Sequence, residues 1–142
     1  MNRILAQFSN RQCYETAHQQ FLNLICSRFL QTLKYDISLP SSHYYKIVEE
    51  TRQLIKDSSE FSAEEKELIL PNGHGHVGDG NLHLNVVLPG YDDRSLQERT
   101  KSVVEPFVMD YCRKVSGSIS AEHGVGQQKP DFLHYSKSRA MI

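Results

Sequence analysis

The spacing of apolar side chains predicts two helices and a strand in the first half of the chain. Residues 14–33 repeat apolar positions every three or four residues, which is the pattern of an amphipathic helix. Residues 34–40, KYDISLP, alternate apolar and polar positions and stop at a proline, as a short strand does. The serine pair that opens residues 41–57 can cap a second helix, and residues 58–72 are a polar connection with room for one helical turn.

The second half of the chain contains the clearest strand and the longest helix. Residues 81–89, NLHLNVVLP, alternate regularly, so one face of this strand packs and the other is polar. Residues 95–116 have a helical apolar stripe, with Pro106 expected to kink or divide the helix and Gly117 expected to end it. Residues 118–126, SISAEHGVG, predict a strand that enters a glycine-rich turn. The sequence therefore predicts an α+β fold in which strands are backed by helices.

Composition narrows the class of protein. The chain has 142 residues, which suits one domain, and a formal net charge of -1, which argues against nucleic acid as a partner. Its three cysteines are odd in number and far apart, so we do not expect a disulfide framework. We expect the protein to lie in a reducing compartment. No apolar stretch approaches the roughly 20 residues of a membrane span. The first residues show no recognisable targeting segment.

The segment GHGHVG, residues 73–78, has the glycine spacing of a dinucleotide-binding loop. Such a loop works by leading into a helix whose N-terminal amides meet a pyrophosphate. Here the next residues are a turn signal, Asp-Gly-Asn, followed by the alternating strand. The sequence therefore argues against a phosphate loop.

The same segment offers candidate metal ligands. His76 and His83 flank the glycine-rich turn, and Glu122 and His123 lie beside a second one. Imidazole nitrogens and a carboxylate suit zinc or a similar divalent ion, and a catalytic site leaves one coordination position open. Asn85 follows His83 by two residues and so shares its face of the strand. Spacing alone leaves two alternatives open, a metal site or polar residues that only satisfy turns.

Two long motifs carry a family resemblance. GHVGDGNLHLNV and SISAEHGVGQQKPDFLHYSK resemble the C-terminal part of the FAD-linked oxidases of the vanillyl-alcohol oxidase superfamily that act on D-2-hydroxy acids. KYDISLP and SAEHGVG look most like the members that oxidise D-2-hydroxyglutarate. The resemblance covers residues 34–142 and implies a ferredoxin-like substrate (cap) domain, incomplete, with the start of a C-terminal helical segment. Residues 1–33 remain a helical segment without an assignment.

The resemblance also implies roles for particular residues. The family's zinc ligands fall on His76, His83 and Glu122, and its general base falls on His123. The implied reaction passes a hydride from the substrate carbon to FAD, with the substrate hydroxyl bound at the metal.

Substrate binding is implied for Lys34, Asn85 and His123. The lysine of KYD would meet a carboxylate of the substrate, which fits a dicarboxylate better than lactate. The alternatives are a D-lactate or glycolate dehydrogenase relative, a metal-binding α+β module without catalysis, and a plain interaction domain.

The resemblance implies partners beyond these residues. The family binds FAD mainly in a larger N-terminal domain, so this chain is expected to be a fragment with little turnover in isolation. An electron acceptor such as an electron-transfer flavoprotein and a mitochondrial location are implied by the family.

Overall fold

Residues 30–90, 93–126 and 130–137 are described in the computed structural model. Their helices and strands, in chain order, are β1 (Leu30–Ser38), α1 (Tyr44–Asp57), α2 (Ala63–Leu68), β2 (Leu70–His74), β3 (Asn81–Pro89) and α3 (Arg94–Lys114). Short 3-10 turns occupy Ser41–His43, Val77–Asp79 and Pro130–Tyr135.

The three strands form an antiparallel sheet in the order β1-β3-β2. A bridge between Ser38 and Ser118 adds one antiparallel pair on the other side of β1. The elements follow one another as β-α-α-β-β-α. With this strand order they form the ferredoxin-like arrangement, with α2 added between α1 and β2 and with the fourth strand represented among the described residues by that single bridge. The predicted α+β class, with strands backed by helices, is confirmed.

The two faces of the sheet differ in polarity, because successive side chains of a strand point to opposite faces. Helix α3 packs against β1 and α1, and α1 packs against β2. The face toward these helices is buried and apolar: Tyr35, Ile37, Leu82, Leu84, Val86 and Leu88. Each such side chain contributes about 1.5–3 kcal/mol on burial. The opposite face, called here the site face, carries the polar set Lys34, Asp36, Ser38, His74, Asn81, His83 and Asn85.

The starts of the helices explain where they lie. Neither serine after Pro40 caps α1; both lie in a 3-10 turn, and α1 begins after it without a side-chain cap. Helix α2 begins with a capping box in which Ser62 and Glu65 satisfy each other's backbone amides. Arg99 of α3 donates to Glu65 at 2.7 Å, and this hydrogen bond lowers the pKa of Glu65 to about 2. The pair connects α2 to α3.

The end of α3 is tied to β1 by a close backbone approach. Ser116, not Gly117, takes the left-handed conformation, with φ 56°. Gly117 is required for another reason: a Cβ there would lie 2.5 Å from the Ser38 backbone oxygen and 2.7 Å from Leu39 Cδ2. The expected stop is confirmed, while its mechanism is contact with the strand. Pro106 lies inside one continuous helix, so it does not divide α3.

Three predictions of local structure are wrong. The predicted helix over 14–33 does not include residues 30–33, which pair with β3; its other residues lie outside the described part of the chain. Strand β2 lies within and just after the predicted polar connection, where its pairing with β3 outweighs a sequence containing proline and glycine. Residues 119–126 form bends and a turn instead of a strand.

Other predictions are confirmed or lie outside the structure. Strand β3 has the predicted bounds. GHGHVG leads into a 3-10 turn and then β3, not into an α-helix. Within the described ranges, no helix has the length and apolar character needed to cross a bilayer. The division of the chain at residues 33 and 34 stays a prediction.

We expect Gly117→Ala to destabilise the fold by about 1–3 kcal/mol, because a methyl group there overpacks against β1. The matched control is Gly78→Ala, where a Cβ meets nothing within 4 Å. Urea unfolding measures both free energies. Equal midpoints for the two variants would contradict the close approach.

Candidate metal and substrate site

Two glycine-containing loops meet at the edge of the site face. The first, residues 75–80, connects β2 to β3 and places His76 near the start of β3. Gly75 has φ 154°, and a Cβ there would collide with the backbone oxygen of Asn81, so only glycine permits this reversal. The second loop, residues 120–126, follows the Ser38–Ser118 bridge. The chain therefore brings sequence-distant polar residues to one place.

Asp36 of β1 holds the second loop. Its Oδ2 accepts hydrogen bonds from the backbone amides of Ala121 (3.0 Å), Glu122 (3.0 Å) and His123 (2.9 Å). Three successive amides that point at one oxygen require a curled backbone, which explains why this segment is not a strand. Asp36 is only 4% exposed. Burial alone would raise its pKa, but the three backbone hydrogen bonds and His123 outweigh burial and lower the pKa.

Glu122 is surrounded by imidazole rings. Its Oε1 lies 3.0 Å from His83 Nε2 and 3.6 Å from His123 Nε2. Its Oε2 lies 3.6 Å from His76 Nδ1. The four residues singled out by their spacing in the sequence therefore share one site in the fold. The ring of His83 also stacks on that of His123, with centroids 5.2 Å apart.

These separations suit a shared divalent ion. Two ligand atoms at about 2.0–2.2 Å from a tetrahedral zinc lie roughly 3.4 Å from each other. The Oε1 atom of Glu122 lies 3.0 Å from His83 Nε2 and 3.6 Å from His123 Nε2, and His76 Nδ1 lies 3.6 Å from the other oxygen, Oε2. In the described part of the chain, Asp36, His83, Glu122 and His123 also form a group whose ligand atoms lie within 4.8 Å of one another. His76 lies outside that group and reaches it through the second oxygen of Glu122.

The nitrogen and oxygen donors of this cluster therefore fit a divalent metal ion. Two different sets of three ligands are compatible with the geometry. The exposed ring of His76 and the exposed ring of His123 both lie 3.6 Å from a Glu122 oxygen. Either ring could be the third ligand beside His83 and Glu122. Asp36 is the least suited of the group, because Oδ2 is already occupied by three amides.

The predicted substrate residues lie next to the candidate ligands. Lys34 and Asn85 are direct partners in the β1–β3 register, and both project from the site face. Among the described residues, Lys34 makes no ion pair and its side chain is exposed. Asn85 Nδ2 lies 3.4 Å from His74 Nδ1. The arrangement places a cation and an amide beside a cluster of imidazoles.

Three site residues were not anticipated from the sequence: Asp36, His74 and Asn81. His74 pairs with His83 across β2 and β3, and its pKa is lowered by burial and by the nearby His83, Lys34 and His76. Asn81 is 4% exposed, and neither polar atom of its amide has a partner in the described structure. One signal for Asp36 was available, since an acidic residue stands between Tyr35 and Ile37 in a strand pattern.

Comparison with known proteins assigns the class. Residues 16–142 match the family described as FAD linked oxidases, C-terminal domain, and the chain belongs to that family. It is therefore part of a flavin-dependent oxidoreductase family.

Three similar proteins are named as dehydrogenases of D-2-hydroxy acids. A probable mitochondrial D-2-hydroxyglutarate dehydrogenase of Oryza sativa subsp. indica is 45% identical over 109 residues, which are 77% of this chain and 17% of that protein. The mitochondrial D-2-hydroxyglutarate dehydrogenase of Danio rerio is 41% identical over 106 residues, 75% of this chain and 17% of its own length. A Schizosaccharomyces pombe protein provisionally named a mitochondrial D-lactate dehydrogenase is 42% identical over 110 residues, 77% of this chain and 20% of its own. The chain thus spans about a sixth to a fifth of these relatives.

We expect Asp36→Asn to lower the stability of the metal-free chain at pH 7, and the difference from wild type to shrink in acid. The folded pKa of Asp36 is lowered, so its contribution is present above the unfolded value of about 3.9 and is lost as pH falls through the folded value. Urea unfolding of both proteins between pH 7 and pH 2.5 measures the difference. A constant difference across that range would contradict the assignment.

Proposed function

We propose that the chain is the substrate- and metal-binding part of a FAD-dependent dehydrogenase that oxidises D-2-hydroxyglutarate to 2-oxoglutarate. The observation that carries the proposal is the convergence of His76, His83 and His123 on Glu122, beside Lys34 on the same face. Family membership supplies the class of reaction. The position of Lys34 beside this cluster supports a hydroxy acid as the ligand.

The metal ligands in this proposal are His76, His83 and Glu122, which leaves a coordination position for substrate. We choose His76 over His123 as the third ligand because the resemblance to the FAD-linked oxidases implies it, although His123, and not His76, belongs with His83 and Glu122 to the group of ligand atoms within 4.8 Å of one another. A zinc or similar divalent ion held there would supply positive charge that favours the ionised form of the substrate hydroxyl. His123, 66% exposed at its side chain, is left to contact substrate.

Proton transfer is the role of His123. FAD, when bound, accepts the hydride that leaves the carbon bearing the hydroxyl group. The imidazole of His123 accepts the hydroxyl proton, and the oxygen lone pair left behind forms the carbonyl bond as the carbon–hydrogen bond breaks. The two electrons leave with the hydride, so the substrate becomes the 2-oxo acid. Asn85 orients the substrate through its amide.

Substrate choice rests on Lys34. It precedes Asp36 by two residues on β1, which is about 7 Å along a strand. An acid whose first carboxylate and hydroxyl lie at the ligand cluster can extend a second carboxylate along β1 to this ammonium. D-lactate has no second carboxylate and leaves Lys34 without that partner. The preference for a dicarboxylate follows from this position.

The remaining parts of the proposal concern the longer protein. FAD is bound mainly outside these 142 residues in this proposal, as the family resemblance implies, and the matched region is only about a sixth to a fifth of the length of the relatives. The isolated chain then has little turnover, and an electron-transfer flavoprotein is the type of acceptor we propose. A mitochondrial location is supported by the names of the relatives.

A second candidate is oxidation of D-lactate, favoured by the similarity to the Schizosaccharomyces pombe protein. A metal-binding domain without catalysis is the other alternative. Both alternatives include the same metal ligands. Lys34 distinguishes oxidation of D-lactate from oxidation of D-2-hydroxyglutarate, because only D-2-hydroxyglutarate has a second carboxylate for it to bind.

We expect His83→Ala and Glu122→Ala to abolish stoichiometric zinc binding by the purified chain, because each removes a central ligand. His76→Ala should weaken zinc binding strongly, and His123→Ala should leave metal content near wild type. The control is His134→Ala, which alters an exposed histidine hydrogen-bonded to the Asp131 carbonyl, outside the cluster. Metal analysis after dialysis gives the stoichiometry. Retention of zinc in the His83 and Glu122 variants would contradict the proposed ligands.

We expect Lys34→Met, in the full-length flavoprotein, to raise KM for D-2-hydroxyglutarate by roughly 10–100-fold, the value of a charged hydrogen bond of about 1.5–3 kcal/mol. Activity with D-lactate should change little. Lys46→Met, at an exposed position of α1, is the matched control. Steady-state kinetics with both acids checks the split, and equal losses for the two acids would argue against a carboxylate contact.

A further inference from the structure

We propose that Asp36 is a positioning residue for the metal site: it fixes the tautomer of His83 and the backbone that presents Glu122. This inference rests on the proposed function and assigns a task to a residue that the motif spacing did not select. The inference is based on the different contacts of the two oxygens of this buried carboxylate: Oδ2 contacts the loop and Oδ1 faces His83.

The first oxygen, Oδ2, holds the loop. The amides of residues 121–123 all lie within 3.0 Å of it, so the backbone on both sides of Glu122 is fixed against β1. A side chain that must reach two histidines from a curled loop depends on such an anchor. Ser120 Oγ lies at the margin of the same contact, at 3.5 Å.

The second oxygen, Oδ1, faces the other ligand. It lies 3.6 Å from His83 Nδ1, is buried, and has no hydrogen-bond partner in the described structure. On the opposite side of the ring, His83 Nε2 lies 3.0 Å from Glu122 Oε1. The lone-pair directions of the two imidazole nitrogens diverge, so an ion bound at Nε2 and a carboxylate that accepts from Nδ1 approach the ring from different sides.

The chemistry of imidazole then gives Asp36 its task. A neutral imidazole carries one hydrogen, and a metal on Nε2 requires that hydrogen to be on Nδ1. A carboxylate that accepts from Nδ1 favours this tautomer and makes Nε2 a better ligand. Oδ1 of Asp36 is placed to accept from Nδ1 with a small closing movement. Asp36, His83 and the metal-binding position would therefore form a carboxylate–histidine–metal series.

The substitution Asp36→Asn separates this role from the anchoring of the loop. The amide oxygen must face the three backbone amides, since the NH2 group would oppose three donors. The NH2 group then faces His83 Nδ1 and donates to it, which places the ring hydrogen on Nε2. The variant keeps the loop and inverts the tautomer, the same logic by which an asparagine gives the wrong tautomer in a serine protease triad.

Two readouts on the 142-residue chain test the inference. In the metal-free wild type the Glu122 carboxylate, 3.0 Å from Nε2, competes for the ring hydrogen, so the tautomer is measured in the Glu122→Ala background. At a pH where the ring is neutral, the nitrogen chemical shifts of His83 should show hydrogen on Nδ1 in Glu122→Ala and on Nε2 in the double variant Asp36→Asn, Glu122→Ala. Chelator competition should show zinc affinity lowered roughly 10–100-fold in the single variant Asp36→Asn. Glu65→Gln is the matched control, because it changes a carboxylate that accepts a backbone amide and pairs with Arg99 far from the cluster.

The outcomes separate this inference from the proposed function. Zinc binding by wild type together with wild-type affinity in Asp36→Asn would overturn the role of Asp36 and leave the metal site standing. Absence of zinc binding by wild type would overturn the metal site and this inference together. Hydrogen on Nε2 in the Glu122→Ala chain, where Asp36 is the carboxylate left beside the His83 ring, would overturn the inference even if the Asp36→Asn variants failed to fold.

Discussion

The contact between the Asp36 carboxylate and three successive backbone amides is the constraint on which the site depends. Each charged hydrogen bond contributes about 1.5–3 kcal/mol, and burying the carboxylate costs part of that sum. Burial raises the pKa of Asp36, and the three backbone hydrogen bonds together with nearby His123 outweigh burial and lower the pKa. Because the three amides belong to residues 121–123, this contact joins a loop late in the chain to the first described strand. The position of Glu122 relative to the histidines follows from it.

Successive residues of each strand point to opposite faces of the sheet, so one face contributes to the stability of the core and the other carries the candidate site. One face of β1 and β3 contributes the apolar core, so the same backbone that is held rigid by α1 and α3 presents the site face. His83, Asn85 and Lys34 are therefore fixed by a packed sheet, and the exposed His76 and His123 are presented by the two loops. In the proposed metal site, the rigid strand β3 provides one ligand, His83, and the two loops provide the other two, His76 and Glu122.

Much of this architecture was predictable from local pattern, and the rest depends on tertiary contacts. Strand β3 was predicted with its bounds because alternation is strong there, and α3 was predicted to within two residues. The segment LPNGH has little strand propensity, so β2 exists through its pairing with β3. Residues 119–126 alternate like a strand but are curled by Asp36. Asp36 itself was missed because its partners lie 84 to 87 residues away.

Anomalous diffraction at the zinc edge, from crystals of the zinc-loaded chain, tests the convergence of the two loops most directly. We predict one peak within about 2.2 Å of His83 Nε2 and a Glu122 oxygen, with His76 completing the protein ligands and Asp36 on the far side of the His83 ring. A peak bonded to His83 Nδ1 and Asp36, or a zinc ion that contacts only one of the two loops, would contradict the account.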